Sequence, residues 1–147
     1  MKIKNKIINI RHIGITVQNL KKTQNFFIKE LGFKVFKKMN EKGAYIENML
    51  NLPKVKVTTV KLKAPDGNII ELLKFRNYKH NKNWNGKIYF TGITHFAVTV
   101  KNIKKIYNDL KKKYRFNAPP QFSPDGYAKV TFLKGPEKLY IELVELL

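Results

Sequence analysis

Gly92–Lys105, GITHFAVTVKNIKK, is a near copy of Arg11–Lys22, RHIGITVQNLKK. With His12 aligned on His95, the match runs without a gap from His12–Phe33 to His95–Phe116. Thr16/Thr99, Val17/Val100, Asn19/Asn102, Lys22/Lys105, Asn25/Asn108 and Phe33/Phe116 are among the identical pairs. Self-similarity at a long fixed offset dictates architecture before any local propensity does. Here it predicts one motif used twice.

Working outward, Ile7–Val17 alternates as a strand and Asn19 is placed to cap a helix over Leu20–Leu31, which Gly32 and Phe33 close. Lys34–Met39, Val55–Leu62 and Asn68–Phe75 read as three further strands, the last two joined by the turn at Pro65-Asp66-Gly67. Asn40–Pro53 is irregular and reads as a loop or a short helix. After it the pattern repeats, with a strand at Thr91–Val100, a helix at Ile103–Tyr114, and an extended connection around Ala118-Pro119-Pro120. A turn at Asp125-Gly126, a strand at Tyr127–Leu133, a turn at Gly135-Pro136 and a last strand at Leu139–Leu146 follow. Each half is strand, helix and about three strands, an α+β arrangement. The first module spans residues 1–75, a polar linker with Trp84 spans 76–90, and the second module spans 91–147.

Composition narrows the function. The 147 residues are 43% apolar, enough for a packed interior, and contain no cysteine, so disulfide and thiolate chemistry are excluded. No apolar run approaches the ~18 residues of a membrane helix, and the N-terminus lacks an apolar targeting core. A cytoplasmic protein without membrane attachment is the expectation. The net charge of +20 invites a nucleic-acid reading, but Arg stands only at Arg11, Arg76 and Arg115, and base readout favours Arg. Lys, Asn and Ile share A/T-rich codons, so genome composition accounts for the lysines. We therefore expect no nucleic-acid partner. A small-molecule substrate is expected instead, and the positive surface suits an anionic one.

Four ionisable residues interrupt apolar strands. Glu71 lies in Ile-Ile-Glu-Leu-Leu and Glu142 in Tyr-Ile-Glu-Leu-Val, while His12 and His95 sit in the first strand of each half. A half-buried carboxylate escapes its desolvation by pairing, protonation or metal binding. Strand alternation turns His12 and Glu71 away from the face of Ile13, Ile15, Ile70 and Leu72, and it treats His95 and Glu142 alike. A single strand histidine is more often a satisfied structural side chain, and a single glutamate is more often salt-bridged by one of the many lysines. Recurrence of both types at equivalent points of the two halves favours shared ligation by His12, Glu71, His95 and Glu142. Imidazole with carboxylate suits Zn, Fe, Ni, Co or Mn.

The stretches HIGITVQNLKKTQNFFIKELGF, PDGNIIELLKF, THFAVTVKNIKK and GPEKLYIELVEL resemble the vicinal oxygen chelate superfamily, which includes glyoxalase I, methylmalonyl-CoA epimerase, fosfomycin-resistance enzymes, extradiol dioxygenases and bleomycin-resistance proteins. The resemblance implies two βαβββ modules forming a cupped, barrel-like mixed sheet around a divalent metal. Its glyoxalase I and epimerase members ligate through His, Glu or Gln, His and Glu, positions that fall on His12, Glu71, His95 and Glu142. The usual Asp-Pro-x-Gly-Asn turn before the last strand is here Gly135-Pro136-Glu137-Lys138-Leu139. The resemblance further implies an isomerase, epimerase or lyase in which the metal stabilises an enolate and a carboxylate moves a proton on the neighbouring carbon. Glu142 is the first choice of base, Glu71 the second and Glu47 a third. A ring-cleaving Fe(II) dioxygenase is disfavoured by a fourth protein ligand. A metal-free resistance protein is disfavoured by intact ligand positions, and a protein of +20 charge would repel cationic bleomycin. Long sheet edges point to a homodimer.

Overall fold

The structure is a computed structural model that describes residues 9–79, 86–88, 93 and 95–147. The chain divides into two compact units, Met1–His80 and Asn81–Leu147. In unit 1, β1 (Ile13–Thr16) leads into α1 (Leu20–Lys29), then β2 (Lys34–Lys42), α2 (Ala44–Leu50), β3 (Lys56–Lys63) and β4 (Ile69–Phe75). The four strands form one open sheet in the order β1-β4-β3-β2, with β1 and β4 parallel and the other neighbours antiparallel.

Local chemistry explains these elements. The Asn19 side chain accepts a hydrogen bond from the Lys22 N–H at 2.9 Å, satisfying one of the donors a helix start leaves open. Leu20, Thr23 and Phe27 follow one another at helical spacing along α1, and Thr23, Phe26 and Phe27 are buried. Phe27 meets Phe33 edge to face at 5.2 Å, so the clasp foreseen after Gly32 closes the helix. Fully burying a ring such as that of Phe27 is worth about 2–3 kcal/mol. In the sheet, Val60, Leu62 and Leu72 likewise have no exposed surface.

Unit 2 repeats the plan with β5 (His95–Thr99), α3 (Ile103–Leu110), β6 (Arg115–Phe116), β7 (Gln121–Phe122), β8 (Ala128–Lys134) and β9 (Tyr140–Leu146). Its sheet runs β5-β9-β8-β6, and β7 also pairs with β8. Asn102 caps α3 as Asn19 caps α1, accepting from the Lys105 N–H at 3.2 Å. Leu133, Ile141 and Leu143 are fully buried beneath the helix, beside Ile103.

Several boundaries differ from those the sequence suggests. The first strand begins at Ile13, and residues 9–12 run outside it, so His12 precedes the strand rather than lying within it. Parallel pairing with β4 starts only at Ile13↔Ile70, because β4 itself begins at Ile69. Both helices stop short, α1 at Lys29 and α3 at Leu110. The irregular stretch after β2 contains the seven-residue helix α2, closed by Asn51 in the left-handed conformation. The strand foreseen over Thr91–Val100 is described from His95, and most of the linker with Trp84 lies outside the described residues. No helix among the described residues is long and apolar enough to cross a membrane.

Candidate metal centre

Within unit 1 the strand register builds the site. Gly14 of β1 faces Glu71 of β4, and His12 stands two residues earlier on the same face. The His12 Nε2 lies 3.3 Å from the Glu71 Oε2, and only 14% of the Glu71 side chain is exposed. Across the other flank, Lys61 of β3 is the direct cross-strand partner of Glu71, and its Nζ reaches the Glu71 Oε1 at 3.7 Å. The two oxygens of one carboxylate therefore face two different partners.

Unit 2 reproduces the geometry. Ala97 of β5 faces Glu142 of β9, again two residues after the histidine, and the His95 Nε2 lies 3.5 Å from the Glu142 Oε2. The residue that faces each glutamate is small, Gly14 in unit 1 and Ala97 in unit 2. The cross-strand partner of Glu142 is Phe132, whose ring meets the His95 ring edge to face at 5.3 Å. Lys61 and Phe132 did not stand out in the sequence. Their signal was the residue of the third strand that pairs with each glutamate, which requires the register.

Each pair taken by itself has the spacing that two ligands of one divalent ion would take. Two ligands each about 2.0–2.2 Å from one ion, at octahedral to tetrahedral angles, stand about 2.9–3.5 Å apart. The two Nε2–Oε2 separations, 3.3 and 3.5 Å, match this spacing and exceed the ~2.7–2.9 Å of a tight charged hydrogen bond. The structure thus brings His12 to Glu71 and His95 to Glu142. Among the described residues it gathers no group of three or more His, Cys, Asp or Glu with metal-site spacing. Glu47, in the first turn of α2, makes no ion pair or hydrogen bond with either His12 or Glu71 among the described residues. Its helix does cover the Glu71 side of the sheet, since Ile46 packs with Val57, Leu73 and Phe75.

Comparison with known proteins decides the family. The model for the Glyoxalase/Bleomycin resistance protein/Dioxygenase superfamily matches residues 9–143. The chain belongs to this superfamily. A relative within reach of sequence comparison is the uncharacterized protein YwkD of Bacillus subtilis (strain 168), 25% identical over 139 residues, covering 93% of this chain and 96% of YwkD. A glyoxalase family protein from Bacillus cereus superposes with a TM-score of 0.88 at 22% identity, covering 100% of this chain and 99% of its own. The trypanothione-dependent glyoxalase I of Leishmania major follows with a TM-score of 0.62 at 24% identity, covering 93% of this chain and 86% of its own. These superpositions establish the superfamily's paired-module fold for this chain.

Proposed function

We propose that this superfamily member is a metal-dependent isomerase, epimerase or lyase acting on a small substrate with two neighbouring oxygens, with a thiol- or CoA-conjugated acid as the substrate class to try first. His12, Glu71, His95 and Glu142 are its metal ligands. The observation that carries this reading is the exact-register repetition of one imidazole–carboxylate pair, with Gly14 facing Glu71 and Ala97 facing Glu142. In both pairs it is the ring nitrogen Nε2 that stands beside a carboxylate oxygen.

A bound divalent ion supplies Lewis acidity toward the two substrate oxygens. The chain's own residues do the rest. The imidazoles of His12 and His95 bind through Nε2. Glu71, flanked by Lys61, serves as a fixed carboxylate. Glu142 takes the proton from the carbon beside the substrate oxygens and returns it to the same or the adjacent carbon, an effect worth about 10²–10⁴-fold in rate.

Metal analysis of protein purified without chelator tests the reading. Stoichiometric Ni, Co, Zn or Mn, lost in His95→Ala, is the expected result. Fe(II) with catechol-dependent oxygen uptake would move the assignment to a ring-cleaving dioxygenase. Protein that carries no metal and takes none up would overturn both.

A further inference from the structure

At the far end of the unit 1 sheet, where β2 ends and β3 begins, a cavity of about 320 Å³ is lined by Asn40, Glu41, Lys42, Lys56, Val57 and Arg76. Three of the six are cations. Lys42 and Lys56 are directly opposed across the β2–β3 ladder, an arrangement of like charges that destabilises a sheet unless an anion stands between them. Among the described residues none of Lys42, Lys56 and Arg76 has an ion-pair partner, and the Glu41 Oε2 already accepts from the Thr59 hydroxyl at 3.2 Å.

Arg76 is one of three arginines among thirty cationic residues, and it is held in place. Its backbone N–H donates to the Lys56 carbonyl at 2.8 Å. Its Nε donates to the Thr58 hydroxyl at 2.7 Å, and that hydroxyl donates to the Asn40 Oδ1 at 2.7 Å. Thr58 is fully buried, so the guanidinium is anchored on the interior; its Nη2 reaches the Asn40 Oδ1 at 3.4 Å, and Arg76 is among the residues that line the cavity. The next residue is stapled as well, with the Asn77 side chain accepting from the Lys56 N–H and donating to the Lys54 carbonyl. A planar fork fixed before binding loses little entropy when it grips an oxyanion.

We propose that this cavity is a binding site for the phosphate group of a small phosphorylated molecule. Three cations against one carboxylate leave two positive charges, which match a phosphate dianion better than a single carboxylate. The volume lies at the lower end for ligand sites, sufficient for a phosphate or diphosphate group. The site stands apart from the candidate metal ligands, since Lys56 lies five residues along β3 from Lys61, roughly 17 Å, and it does not depend on their role.

The test is titration of isotope-labelled full-length protein with inorganic phosphate and with pyrophosphate at fixed ionic strength, followed by nuclear magnetic resonance. Saturable shifts centred on the Arg76 Nε–H and the Lys56 N–H are expected. The double variant K42M/K56M, which leaves the Thr58–Asn40–Arg76 network intact, should weaken binding about tenfold. The control K21M/K22M on α1, with the same loss of charge, should weaken it less than about twofold. Equal weakening in both variants would reduce the effect to the general field of a basic protein and overturn the proposal. Shifts that spread over the lysines without saturating would overturn it too, as would tighter binding of single-stranded DNA that the control weakens equally. Because the resonance shifts are read on the unaltered protein, loss of folding in a variant would not shield the proposal.

Discussion

Unit 1 flanks its imidazole–carboxylate pair with the ammonium of Lys61, whereas unit 2 flanks the equivalent pair with the ring of Phe132. The main chain around the pairs is the same, with the glutamate two register positions beyond the histidine in each. A duplicated motif has thus kept its donor atoms while the residue beside each carboxylate diverged. Glu71 faces a partner at each of its oxygens, which suits a ligand that stays in place. Glu142 has the uncharged Phe132 as its cross-strand partner and His95 beside one oxygen, which suits a carboxylate that changes partners during a reaction.

The largest effect should come from separating the two glutamates. Glu142→Gln is expected to keep metal but to lose proton exchange at the substrate carbon by about 10²–10⁴-fold. Glu71→Gln should retain both to within about tenfold, since an amide oxygen still ligates and the resemblance admits Gln there. Solvent deuterium uptake by a vicinally oxygenated acid or thioester, with metal content measured in parallel, reads both. Full exchange in Glu142→Gln would sink the division of labour.

A smaller contrast lies in the turns before the last strands. In unit 1 the turn Pro65–Asn68 places Gly67 at a φ of 91°, and the Asn68 N–H holds the Asp66 carboxyl below its usual range. In unit 2, Glu137 and Lys138 take positive φ themselves, and Gly86 packs so closely that an added Cβ would stand 2.8 Å from the Lys138 Cβ. Gly86→Ala is therefore expected to destabilise by about 2–4 kcal/mol, combining left-handed strain with a clash. Gly67→Ala should cost about 1–2 kcal/mol, from strain alone. Urea unfolding of the two variants decides it, and equal losses would mean that the close approach of Gly86 adds nothing.

The smallest change should bring unit 1 closer to unit 2. Thr23 is fully buried in α1, its hydroxyl finds no hydrogen-bond partner among the described residues, and the matched residue of α3 is Ile106. Thr23→Val keeps the shape and removes an unsatisfied group, so it should stabilise by about 1 kcal/mol. A fall in melting temperature would reveal a partner for that hydroxyl.

The repeat made the fold legible because one face of each element must be apolar and the other not, and that constraint leaves periods of two and of nearly four in the sequence. Asn19 and Asn102 were readable as caps for the same local reason. Each His–Glu pair was readable because ionisable side chains in apolar strands demand an explanation. What escaped reading depends on partners distant in sequence. Lys61 and Phe132 gain meaning only through the β3–β4 and β8–β9 registers. The helix α2 is too short and too weakly periodic to declare itself. The long second strand of unit 1 has no intact equivalent in unit 2, where Pro119 and Pro120 remove two amide donors and leave the fragments β6 and β7.

That broken strand gives the intact β2 a particular burden. As the terminal strand of its sheet it carries nine residues, with Val35 and Phe36 substantially exposed. Such an edge is a template on which another chain could polymerise. Lys34, Lys37, Lys38 and Lys42 recur along it. Two copies laid edge to edge would stack ammonium groups within a few ångströms. Charged side chains along an edge strand, lysines above all, disfavour such edge-to-edge pairing.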